Sequence, residues 1–371
     1  MKTSQKLFIS GLRTGLVGAG LNIIKRRYFS KIHRFDGDAK SICEQIIKET
    51  WNGLYYQTGL GHFNYFWIRD FGIVTESLIR TGNGERVRKT IKWALGNYIS
   101  KNKVTLSIDT RGNVFDAPSK SIDALSWLIY SIFVSKYILS ETDKKFLEKE
   151  IERFYIKFID PKTDLLKDNI KYSELRDAAK YKQSSYAILM IYILSFYSKK
   201  LQLDGFNTNP DFYKNLLINE YWNGKYFNSD INNKSFSADS NLLPFILGVF
   251  IDKEMLASVL KEIKEQQINT PFPMKYTDKP DSFKYHWWAY IIMPDYASNT
   301  VWTWMGLLYL KLLKDSGSKD YKTEYSKFTQ LIDRYKTFPE LLHPDGSWYK
   351  TIFYKAEEGM IWSAIYNNIS E

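Results

Sequence analysis

Cysteine is almost missing: Cys43 is the only one among 371 residues. That excludes an intrachain disulfide and a zinc site built on thiolates. Histidine is scarce as well, with His33, His62, His286 and His343 far apart, so no metal site and no cofactor are expected. No fixed sequence period is present, which removes the support an α-solenoid would need. There is no uninterrupted apolar run of membrane length. Residues 7–24 come nearest, but Arg13 and several glycines break the run and Lys25, Arg26 and Arg27 follow it. The stretch is too short and too charged for a span, and no small-residue cleavage site stands out. It is expected to be an amphipathic segment packed on the body, with an interfacial membrane anchor as the alternative. Its glycines follow no strand, so they do not make a nucleotide fingerprint. With no disulfide and no leader, a cytoplasmic location is expected.

Basic residues outnumber acidic ones, 52 to 41, for a net charge of +11. Over residues 140–153 and 261–266, however, lysines alternate with glutamates in the pattern of solvated helix faces. No basic run is interleaved with aromatic platforms, so a nucleic-acid partner is not expected. Aromatic residues are abundant: 11 Trp, 27 Tyr and 23 Phe, together 16% of the chain. Such an excess suits a carbohydrate-lined cleft as well as an aromatic core.

From residue 38 onward, helical patterns alternate with Gly, Pro, Asn and Asp breakers. Helices are expected over 39–57, 70–81, 85–100, 122–138, 143–158, 184–202, 210–221, 240–250, 253–266, 299–314, 319–336 and 357–368. Those at 85–100, 143–158, 253–266 and 319–336 are amphipathic. Those at 122–138, 184–197, 242–250 and 301–313 are apolar nearly all round, which marks burial. Alternation of the two kinds predicts an all-α chain of six helical hairpins, an (α/α)6 barrel with inner and outer rings over residues 38–371. Residues 1–37 would form a basic and apolar extension.

In such a barrel the loops leading into the inner helices meet at one end. Those loops carry the polar and aromatic motifs: FWIRD before residue 71, DAPSKSID before 124, SELRDA before 179, SADSN at 237–241, YASNTVWTW at 296–304 and EEGMIW at 357–362. The first contains Trp67 and an ion-forming pair, Arg69 and Asp70. Aromatic faces stack on sugar rings while charged groups hydrogen-bond their hydroxyls. The same residues also suit a helix start with a capping aspartate. Glycoside hydrolysis needs two carboxyl groups flanking one bond. The candidates are Glu174 and Asp177 beside Arg176, and Glu340 in the aromatic loop FPELLHPDGSWY.

Taken together, FWIRDFG, SELRDA followed by an apolar helix, YASNTVWTWMGLLYL and PELLHPDGSWY resemble the (α/α)6-barrel glycosidases. These are glycogen-debranching amylo-glucosidases, neutral invertases and mannosylglycerate hydrolases, and more distantly trehalases and glucoamylases. The resemblance covers roughly residues 38 to 371. It implies an exo-acting, inverting hydrolase of a small α-glucoside or short oligosaccharide, with Arg69 and Asp70 on the sugar, Asp177 as general acid and Glu340 as ionised general base. The two carboxyls of an inverting enzyme stand roughly 6.5–9.5 Å apart. Trp67, Trp302 and Trp348 would wall the site, and Asp123 and Asn241 would bind hydroxyls. One departure is Leu175, which stands where these families carry an aromatic, with Glu174 nearby as a rival acid. The β-sandwich domain of several of these families is also absent, which weakens the case for long polymers. Two other functions stay open: a carbohydrate-binding protein without turnover, and a polysaccharide lyase or epimerase using His286 or His343.

Overall fold

The computed structural model describes Tyr28 and residues 31–370, except 169, 207, 278, 280, 281 and 283. Most of the expected N-terminal extension, including its apolar stretch, lies outside the described residues. Among the described residues no helix is long and apolar enough to cross a membrane.

Helix starts are set by local chemistry. In α1 (Ala39–Glu49) the Asp38 carboxylate accepts from the Ser41 amide. After α2 (Ile68–Leu78), α3 (Gly84–Lys101) and α4 (Ala124–Val134), Ser140 and Asp143 form a reciprocal capping box on α5 (Glu141–Phe158). The Ser184 hydroxyl caps α6 (Ser185–Lys200), and Asn209 with Pro210 opens α7 (Pro210–Leu216). The remaining helices are α8 (Ala238–Ile246), α9 (Lys253–Glu265), α10 (Trp287–Ile292), α11 (Thr303–Asp315), α12 (Tyr321–Tyr335) and α13 (Ser363–Ser370).

Helices α2, α4, α6, α8, α11 and α13 pack in that order, and α13 returns against α2. The ring is closed. These helices are buried on nearly every face; in α6 every residue from Ser185 to Ser195 is buried. Amphipathic α1, α3, α5, α7, α9 and α12 precede them in the chain as the outer layer, so the barrel has the six hairpins expected. Two glycines allow close approach within it. A Cβ on Gly72 would lie 2.5 Å from the Trp127 ring, and one on Gly306 would lie 2.5 Å from the Pro273 carbonyl oxygen and 2.6 Å from Phe328. Because a backbone oxygen cannot rotate aside, Gly306→Ala is expected to cost about 1–3 kcal/mol, read from the midpoint of urea unfolding.

The helices expected from sequence are present, most with shorter or shifted ends, while α3 and α5 run slightly longer than expected. The first stops at Glu49 because Asn52 folds back, its side-chain oxygen accepting from the Leu54 and Tyr55 amides. The last starts at Ser363, because the Glu357 amide is spent on Glu340. Helix α11 begins only at Thr303, since Val301–Trp302 pairs antiparallel with Leu341–Leu342. Phe66–Trp67 pairs likewise with Ser107–Ile108, and Ala179–Lys180 with Lys284–Tyr285. These two-residue strands stitch together the loops that lead into the inner helices. Neither they nor the short helix α10 were anticipated.

Candidate active site

At the end of the barrel where those loops meet lies a cavity of about 120 Å³, lined among others by Phe63, Trp67, Arg69, Asp70, Asp177, Tyr296, Trp302 and Glu340. Its remaining walls include Leu175, Tyr276, Trp304 and Trp362. Drug-sized ligands occupy roughly 300–1,000 Å³, so this space suits one sugar-sized group. Larger hollows of about 700 Å³ and 640 Å³ lie against the outer helices and have no tryptophan wall.

Arg69 is the first organising group. It sits in the first turn of α2 and is buried. Its Nε donates to Asp123 at 2.7 Å and its Nη2 to the other Asp123 oxygen at 3.1 Å. Its Nη1 lies 3.3 Å from both oxygens of Asp177. The ion pairs of Arg69 thus go to Asp123 and Asp177, whereas the sequence suggested a pairing with its neighbour Asp70. Asp123 is held further by Ser121 and by the Tyr186 hydroxyl at 2.6 Å. Fully buried and fully engaged, it orients Arg69 and does not line the cavity.

One guanidinium thus faces three carboxyls. Asp177 keeps 29% of its side chain open, toward the cavity. Its enclosed position pushes its pKa up to about 7; Arg69 pulls it down, while Asp123 and Asp70 push the same way as burial. Asp70, in the same cavity, is raised by burial to about 6.

Glu340 is the second organising group, and it lies in the segment between α12 and α13. One of its oxygens accepts from the Tyr354 hydroxyl at 2.6 Å and from the Glu357 amide at 2.8 Å, and the other from Tyr296 at 3.2 Å. Three donors favour the charged form. Burial outweighs them and, with Glu357 adding like charge, lifts Glu340 to about 8. Its carboxyl thus titrates above the usual carboxylate range, so a base role near neutral pH falls to its ionised fraction. Behind it, His62 Nδ1 lies 3.1 Å from Glu357 and its Nε2 3.3 Å from the Tyr354 hydroxyl.

All three acids titrate higher folded than unfolded. Their contribution to stability is full below about pH 4 and is lost as pH rises through about 6 to 8. The stability of a Glu340→Gln protein relative to the unmodified chain is accordingly expected to increase from pH 5 to pH 9, as measured by paired thermal melts.

Of the residues singled out from sequence, Trp67, Arg69, Asp70, Asp177, Trp302 and Glu340 share the cavity. Glu174 does not line it; its carboxylate is bonded to the Ser184 hydroxyl, and burial raises its pKa well above the usual range. Asn241 is spent on backbone groups of Phe227 and Ser237. Trp348 packs edge-on against Tyr335 and donates to the Ala356 carbonyl, away from the cavity. His286 and His343 also lie outside the cavity lining. Tyr296 and Tyr354 were missed. Tyr296 belongs to a motif already noted, but only the fold brings Tyr354 to Glu340. Among the described residues, no group of three or more His, Cys, Asp or Glu could hold a metal ion.

Neither a protein-family model nor a curated protein sequence matches the chain. Solved structures do. A mannosylglycerate hydrolase of family GH63 from Thermus thermophilus, crystallised with Tris and D-glycerate, superposes with a TM-score of 0.55 at 10% identity, over 90% of this chain and 99% of that one. What is shared is the fold. A structure described as a wild-type glycosidase gives a TM-score of 0.62 at 11% identity, over 90% of this chain and 97% of that one. A rhamnosidase from Klebsiella oxytoca with rhamnose bound gives 0.58 at 11%, over 90% of this chain and 64% of that one. The chain therefore has the (α/α)6-barrel fold of these glycosidases.

Proposed function

We propose that the protein is an exo-acting, inverting glycoside hydrolase of a small α-glucoside or short oligosaccharide. The observation that carries this is the pair Asp177 and Glu340: a partly open carboxyl and a buried one, from loops on different sides of the ring, lining one sugar-sized cavity walled by aromatic rings. Protonated Asp177 gives its proton to the glycosidic oxygen as the bond to the anomeric carbon breaks. Ionised Glu340 takes a proton from the water that attacks that carbon on the opposite face. The products are a free sugar of inverted configuration and the released alcohol. Asp70 and Arg69 bind hydroxyls of the sugar, while Trp67 and Trp302 stack on its ring. The small cavity supports removal of one terminal unit and disfavours internal cleavage of a polymer.

With pKa values near 7 and 8 on the two groups, kcat/KM is expected to follow a bell with its maximum between about pH 7 and pH 8. A plateau reaching below pH 5 would contradict it. An NMR time course with trehalose, maltose, isomaltose, sucrose, glucosylglycerate and mannosylglycerate tests the reaction itself. Release of the inverted anomer before mutarotation supports the proposal; release of the retained anomer overturns the mechanism. If no sugar is cleaved but one raises the melting temperature, the protein is a carbohydrate binder, a function that Leu175 at the usual aromatic position would suit.

A further inference from the structure

The residue before Asp177 is an arginine that the proposed reaction does not use. Arg176 is 1% exposed and does not line the cavity. Taking a guanidinium out of water is unfavourable, and only well-made bonds offset it. The bonds of Arg176 show what it holds. Its Nε donates to the Ala297 carbonyl and its Nη2 to the Tyr285 hydroxyl at 2.7 Å. These two partners flank α10, so one side chain grips the segment 285–297 at both ends. The guanidinium also lies over the ring of Tyr276, 5.1 Å from its centre, and Tyr276 is a wall of the cavity.

The gripped segment runs from the acid to the base. At its start Lys284–Tyr285 pairs with Ala179–Lys180, and the His286 amide donates to the Ala178 carbonyl at 2.8 Å, one residue after Asp177. Ala289 of α10 and Ala297 pack with Ala178 in a small apolar cluster. At its end the Tyr296 hydroxyl reaches Glu340 at 3.2 Å. Two further bonds join it to the chain just before Tyr354, the other tyrosine on Glu340: the Tyr349 hydroxyl donates to the Pro294 carbonyl at 2.7 Å, and Thr351 Oγ1 to the Ile292 carbonyl at 2.9 Å. The bonds of Arg69 go to Asp123 and Asp177; those of Arg176 reach the segment that carries Tyr296.

We propose that Arg176 is a positioning residue which, by clamping residues 285–297 at both ends, sets where Glu340 stands relative to Asp177. This rests on the hydrolase reading of the cavity. Inversion needs a fixed gap between the two carboxyls to admit one water, and a misplacement of about 1 Å can cost about 10²-fold in rate. A clamp that starts beside the acid and ends beside a donor to the base holds that gap from outside the cavity.

Two variants test this. Arg176→Lys keeps the charge but has no fork with which to make both bonds. Tyr285→Phe removes one bond and leaves the arginine in place, and it carries the same readouts if Arg176→Lys does not fold. Each is expected to lower kcat by about 10–10²-fold, with KM changed less than about threefold. Combined with Tyr296→Phe, either should cost much less than the product of the separate losses, because both act on Glu340 through one hydroxyl. Unchanged kcat in the folded variants, or losses that multiply in full, would make Arg176 merely structural and overturn the proposal. Hydrogen exchange read by mass spectrometry reports the clamp without any substrate. Exchange over residues 284–297 should be at least about tenfold faster in both variants, with α6 unchanged; no change over 284–297 would overturn the clamp itself. If exchange quickens as expected but the unmodified protein cleaves no glycoside, the hydrolase reading fails and the positioning role fails with it, while the clamp stands.

Discussion

Asp177→Asn and Glu340→Gln proteins are each expected to lose about 10²–10⁴-fold in kcat on any glycoside the unmodified protein cleaves, with far-ultraviolet circular dichroism unchanged. The two losses should differ in kind. Asp177 serves the leaving group, so a glycosyl fluoride or a nitrophenyl glycoside, whose departing group needs no proton, should restore much of the rate to Asp177→Asn. Glu340 serves the water, so the same substrates should leave Glu340→Gln slow. If the activated substrates rescued Glu340→Gln and left Asp177→Asn slow, the two roles would be exchanged. If neither substitution slowed the enzyme, the cavity would not be where hydrolysis occurs.

Arg69→Leu is expected to cost about 3–5 kcal/mol of folding stability, because it strands Asp123 and weakens the hold on Asp177 in a buried site. Guanidinium chloride unfolding at pH 7 reads it. Without the cation, Asp177 should titrate above its value of about 7, and the alkaline limb of the activity profile should move to higher pH. Lowering the pH should return part of the lost stability, since protonated acids need no counterion. A second change, Asp123→Leu in the same chain, is expected to be much less than additive, because apolar replacement of both partners removes the unpaired charge. A fully additive double variant would mean that Asp123 and Arg69 are not coupled as their 2.7 Å contact implies.

The barrel was legible in the sequence because its two layers differ in periodicity. An inner helix such as α6 cannot be polar on any side, and an outer one such as α5 must be on one. The carboxyls Asp177 and Glu340 were legible because their motifs precede inner helices, and all such loops converge. Asp123, Glu174 and Asn241 occupy equivalent positions, yet their side chains point to Arg69, Ser184 and the Phe227 backbone. Nothing in a linear pattern tells a carboxyl that faces the cavity from one turned half a helix away. Tyr354 was hidden for another reason. It approaches Glu340 because the hairpin at residues 341–356 folds back on itself, the Ala356 amide donating to the Tyr349 carbonyl, and tyrosines in this chain are too common to stand out.

The closure of the inner ring by α13 against α2 bears on how the protein is made. Helices α2 through α11 emerge from the ribosome first, but the seam between α2 and α11 stays open until residues 363–370 have been synthesised. A nascent chain stopped before Ser363 would present apolar faces of both helices to solvent, with no local segment to cover them. Folding of the barrel is therefore expected to finish only after α13 leaves the exit tunnel, and chains cut short of it are natural clients for a chaperone.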